Sequence, residues 1–94
     1  MNKEEQILQI LKRHHVGEEE AVTGKDLAFV ACITESELRK IVNSLRSKSE
    51  PICSSHSGYY YANTKTEIRE TVQHLKNRVS GINNAVEGLE QLLK

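Results

Sequence analysis

The sequence predicts a mainly α-helical fold with one small β-hairpin: a helix-turn-helix domain over residues 1–62, followed by a long coiled-coil-type helix over residues 63–94. Three observations predict it. Two short capped helical segments lie three or four residues apart, a strand-turn-strand segment follows Pro51, and an unbroken heptad pattern runs beyond Thr64.

The first apolar cluster, Ile7, Leu8, Ile10 and Leu11, has helical rather than alternating spacing. It predicts a helix from Asn2 or Lys3 to Arg13. Gly17 and the Glu18–Glu20 run then read as a solvated loop. Thr23-Gly24-Lys25-Asp26 reads as a helix start, a threonine cap followed three residues later by an acid. Leu27, Ala28, Val30 and Ala31 carry that second helix, and Cys32-Ile33 forms the turn. Thr34-Glu35-Ser36-Glu37 has the pattern of a capping box, in which each end residue satisfies the backbone amide of the other. It opens a third helix, Glu35–Lys48, with Leu38, Ile41, Val42 and Leu45 on one tight apolar stripe.

Pro51 ends that helix. Ile52–Ser55, then His56-Ser57-Gly58, then Tyr59–Ala62 read as strand, turn and strand, with Gly58 supplying the positive φ that tight turns need. By the two-residue period, Tyr59 and Tyr61 share a face and close the core, which leaves Tyr60 exposed. Thr64-Lys65-Thr66-Glu67 is a second capping box. Beyond it Ile68, Val72, Leu75, Val79, Ile82, Val86, Leu89 and Leu93 recur at alternating steps of four and three, the seam of a coiled coil. This helix is longer than a domain of about sixty residues can cover, so pairing with a second copy is expected. The flanking residues Thr71, Lys76, Arg78, Asn83, Ala85 and Glu90 give no charge code for parallel or antiparallel pairing.

Composition bounds the function. Apolar residues make up 37% of the 94 residues and aromatics 4%, so a core is built from Leu, Ile and Val. Thirteen bases balance thirteen acids, against the basic excess common among DNA-binding domains. The distribution is uneven: residues 1–33 carry six acids and four bases, residues 34–62 three acids and four bases. No signal peptide or membrane-length apolar run is present, and Cys32 and Cys53 lack metal-ligand spacing, which together predict a reduced cytoplasmic protein. His14-His15 does not supply a four-ligand zinc set. No nucleophile–base pair, paired carboxylates or phosphate loop occurs, so the expectation is a non-enzyme with no cofactor, metal or small-molecule ligand.

Val22–Ala28, Leu38–Arg46, Pro51–Ser54 and Gly58–Ala62, taken together, resemble the winged helix-turn-helix superfamily. Within it the likeness is to the DNA-binding domain of the biotin operon repressor and related regulators, and to short winged-helix proteins of phages and prophages. The likeness spans residues 4–62 and includes no ligase or effector domain. It implies that the third helix enters the major groove of duplex DNA. Opposite the apolar stripe that helix carries Ser36, Lys40, Asn43 and Ser47, flanked by Arg39 and Ser44. Arg and Lys pair with guanine and Asn with adenine, while serines suit phosphate or water-mediated contacts. Ser54, Ser55, His56 and Ser57 at the wing tip and Lys25 in the second helix are further candidates for DNA contact. The expectation is a homodimeric, sequence-specific DNA-binding protein. The alternative is a winged-helix module for protein contact, or a subunit of a replication or regulatory complex.

Overall fold

Local capping sets most of the helix boundaries. In the computed structural model, which describes Met1–Lys94, the Asn2 side chain accepts the Glu5 amide and starts helix α1, Lys3–His14. Thr23 accepts the Asp26 amide and starts α2, Gly24–Ala31. Thr34 accepts the Glu37 amide and starts α3, Glu35–Ser47. Only half of the expected capping box forms here, because the Glu37 carboxylate accepts the Thr34 hydroxyl rather than its amide. Thr64 and Glu67 form the complete box and start α4, Lys65–Gln91. The left-handed Cys32 ends α2, and Lys3 donates to the last carbonyl of that helix, Ala31, at 2.7 Å, a cation placed at the negative end of a helix dipole.

The apolar stripes of the first three helices meet in one core. Ile7 and Leu11 from α1, Leu27, Ala28 and Ala31 from α2, and Leu38, Val42 and Leu45 from α3 are all buried. Each large side chain buried in this way contributes about 1.5–3 kcal/mol of transfer free energy. Strands β1, Ile52–Ser55, and β2, Gly58–Tyr61, pair antiparallel in the register Ile52–Tyr61, Cys53–Tyr60, Ser54–Tyr59 and Ser55–Gly58. The turn is therefore the two residues His56-Ser57, and Gly58 belongs to the strand.

β2 is stitched to the rest of the chain along its free edge. Val22 and Tyr59 exchange both backbone hydrogen bonds, at 2.9 and 2.7 Å, while Gly17 donates to Tyr61 and Tyr61 donates to His15. These bonds fix the hairpin against the lead-in to α2. They also refine the expectation of a solvated loop at Glu18–Glu20: Glu19 and Glu20 are exposed, but the segment is tied down on both sides. That run is a 3-10 turn, and the Glu18 amide donates to the Glu67 carboxylate at 2.8 Å. Glu67 also accepts the amides of Asn63 and Thr64. The Glu18 amide, and behind it those of Asn63 and Thr64, hold its carboxyl below the usual carboxylate range.

The hairpin is covered on both faces, which reverses one expectation about the tyrosines. Ile52, Tyr59 and Tyr61 do face the three-helix core. Tyr60, however, is 1% exposed and the other two are half-buried. The first turns of α4 lie across the opposite face, where Cys53, Tyr60 and Thr71 are buried together and Thr71 Oγ1 accepts the Ser54 amide at 3.3 Å. Burial there pushes the Cys53 thiol up and the Tyr60 phenol up to about 12. A two-residue period separates the faces of a strand but does not reveal which later element will cover one of them.

Beyond Arg78, α4 leaves the domain: residues 79–94 are all exposed. The molecule measures 52 × 29 × 23 Å as a result. No helix is long and apolar enough to cross a membrane.

Candidate functional site

α3, the hairpin and α4 meet around one polar cleft of about 480 Å³. α3 supplies Arg39, Asn43 and Arg46, the hairpin supplies Ser54, Ser55, His56 and Tyr59, and α4 supplies His74 and Arg78. The helical period explains why these side chains converge. Arg39 and Arg46 are seven residues apart on the flank of the buried stripe, and His74 and Arg78 are four apart on the domain side of α4.

Its electrostatics are one-sided. None of the thirteen lining residues is acidic. The one ion pair in the molecule, Lys48 with Glu4, joins α3 to α1 on another side, so Arg39, Arg46 and Arg78 have no carboxylate partner. Arg46 is anchored: Nε donates to the Ile52 carbonyl at 2.8 Å and Nη2 to Ser54 Oγ at 3.0 Å. Burial lowers the pKa of its guanidinium from the ordinary arginine value, and the charge of Arg78 acts in the same direction. Like charges gathered without a counter-charge repel one another, and an anion in the cleft relieves that repulsion.

The candidate residues read from the sequence divide into four groups. Arg39, Asn43, Ser55 and His56 line the cleft. Ser36, Lys40 and Ser47 are exposed on α3 outside it, with the Ser47 hydroxyl donating to the Asn43 carbonyl at 2.9 Å. Ser44 is half-buried and donates to Glu4 at 3.1 Å, which turns it toward α1 and away from the open face. Lys25 lies on α2 beside a separate hollow shared with Phe29 and Glu35.

Arg46, His74 and Arg78 were absent from the expected set. The repeat Arg39–Arg46 was the available signal for the first. For the other two it was the pair His74–Arg78 beside the heptad seam. Of the seam itself, Ile68, Val72 and Leu75 border the domain, around an apolar hollow of about 280 Å³ shared with Pro51, Ile52 and Cys53. Val79, Ile82, Val86, Leu89 and Leu93 stand free. No group of three or more His, Cys, Asp or Glu side chains is placed to hold a metal ion. The His15 ring instead bonds the Glu20 carbonyl through Nδ1.

No protein-family model, curated protein or solved structure matches this chain.

Proposed function

We propose that this chain is a DNA-binding protein of the winged helix-turn-helix kind, with α3 as the recognition helix, the hairpin as the wing, and α4 as the element that joins two copies. The observation that carries the reading is the cleft of Arg39, Arg46 and Arg78 with no acid in its lining. A chain of zero net charge has gathered three of its five arginines in one concave place, and a phosphate backbone is the polyanion that suits such a place.

The division of labour follows from position. The arginines of the cleft hold phosphates, while Lys40 outside it and Asn43 at its α3 wall reach base edges, lysine toward guanine and asparagine toward adenine. Two copies double the phosphate contacts and select a two-part site. The role is that of a cytoplasmic transcriptional regulator or a phage accessory factor, not an enzyme.

Selection of binding sites from a random duplex pool tests this. Recovery of a recurring sequence, together with loss of that selectivity in a folded Lys40→Ala/Asn43→Ala variant, supports it. Failure to enrich any duplex at low salt rejects it.

A second reading, a winged-helix module for protein contact, is favoured by one observation. Phe29 and Val30 on α2 are 82% and 60% exposed, and neither lines the cleft. Phe29→Ser/Val30→Ser leaves DNA binding intact under the first reading and abolishes partner capture under the second.

A further inference from the structure

We infer that α4 pairs antiparallel with α4 of a second copy, centred between Ser80 and Gly81, so that the bare end of each helix covers the partner copy's domain-bearing end. This rests on the reading of α4 as the element that joins two copies, and it supplies the orientation and register of that joint.

The seam is symmetric about this centre. Ile68 faces Leu93 of the second copy, Val72 faces Leu89, Leu75 faces Val86, and Val79 faces Ile82. Every seam residue is thereby matched, and each of the four contacts occurs twice. The division of the helix falls near this centre: Leu75 is the last half-buried residue of α4, Arg78 is the last to line the cleft, and residues 79–94 are exposed and border no part of the domain. In this register each bare half lies alongside the partner copy's domain-bound half, and the two domains do not compete for space.

Charge complementarity distinguishes the two orientations. Antiparallel pairing sets Arg69 opposite Glu90 of the second copy, twice, and Lys76 opposite the neutral Asn83. Parallel pairing sets Thr71 against Lys76, Arg78 against Asn83 and Ala85 against Glu90, with no opposed charges.

Leu92 gives a further indication. It is 79% exposed and lies outside the strict seam, so one helix alone leaves it largely uncovered. In the antiparallel register Leu92 and Leu93 come against the second copy's hollow between Pro51, Ile68 and Val72. The domain occupies the same flank of the seam as Thr71 and Arg78. Both domains therefore sit on one side of the helix pair, with the two Arg78 side chains close to the two-fold axis and both basic clefts on a common face.

The test is cysteine cross-linking in a Cys32→Ser background, which removes the exposed thiol and leaves Cys53 buried. Val72→Cys and Leu89→Cys chains are purified separately, shown to be dimeric by light scattering, then mixed and oxidised. A disulfide between the two different chains, with neither variant linking to itself, is expected. A dimer whose Val72→Cys chains link to each other, or whose mixed chains fail to link, overturns the register while the dimer reading stands. A monomer overturns both.

Charge reversal gives an independent readout on side chains outside the core. Arg69→Glu is expected to raise the dimer dissociation constant roughly three- to thirtyfold, since two attractive pairs become repulsive. Arg69→Glu/Glu90→Arg is expected to restore it. No rescue by the double reversal contradicts the pairing.

Discussion

Gly58→Ala isolates what positions the hairpin against α3. Gly58 has φ +123°, and a Cβ placed there would lie 2.1 Å from the Val22 carbonyl oxygen and 2.9 Å from the Thr23 nitrogen. Both are backbone atoms, so no side-chain rotation relieves the contact. The chain has to separate by about 1 Å or more to reach ordinary van der Waals distance. That separation breaks the two Val22–Tyr59 backbone hydrogen bonds, which contribute about 0.5–1.5 kcal/mol each. The unfavourable φ adds about 1–2 kcal/mol for a residue with a Cβ. Together the expected loss is about 2–5 kcal/mol of unfolding free energy, measured by urea denaturation at constant m-value. The hairpin also forms one wall of the cleft, so duplex affinity is expected to fall with stability. A Gly58→Ala protein within 0.5 kcal/mol of the parent, which is the scale of an ordinary surface change, would refute the close-approach argument.

The Glu67 carboxylate gives a pH-dependent counterpart. Its folded pKa is lowered, so its contribution is present above the unfolded carboxylate value, about 4.3, and is lost as pH falls through the lower folded value. Glu67→Gln is expected to cost about 1–2 kcal/mol at neutral pH. The gap from the parent should narrow in denaturation curves taken below about pH 4, and a gap independent of pH would contradict the assignment. Thr71→Val keeps the shape of the side chain but leaves the half-buried Ser54 amide without its acceptor. The expected loss is about 1–3 kcal/mol, with faster hydrogen exchange at Ser54 than at the α1–α3 core amides. Unchanged exchange at Ser54 would show that α4 does not protect that strand.

The residues that were legible in the sequence are those whose signals are local. Thr23, Thr34 and Thr64 announced three helix starts within four residues of themselves, and the stripe of α3 named its own buried face. The heptad steps of α4 were equally plain. What escaped depended on contacts between distant segments. Tyr60 is buried because a helix that begins after it folds back across Cys53 and Thr71. Ser44 was expected on the open face, but it lies close enough to α1 for Glu4 to take its hydroxyl. Arg46 was absent from the expected site because a residue beside an apolar stripe gives no sign that β1 will anchor its guanidinium next to Arg78. His74 and Arg78 were assigned to a pairing helix, yet the same helix forms a wall of the cleft. The neutral net charge concealed the basic cleft for a related reason, since a whole-chain sum says nothing about where charges converge.

The central claim is that the α3–hairpin–α4 cleft holds the phosphate backbone of duplex DNA. It is tested most directly by fluorescence anisotropy of a labelled duplex across a salt series, comparing the parent, Arg39→Ala/Arg78→Ala, and a control, Arg13→Ala/Lys65→Ala. The control removes the same charge from exposed positions outside the cleft. The cleft variant is expected to bind about tenfold or more weakly near 0.1 M salt, with the slope of log affinity against log salt shallower by roughly two per cleft. The control is expected to stay close to the parent. Equal losses in the two variants, or no loss in the cleft variant, would contradict the assignment of this cleft to DNA.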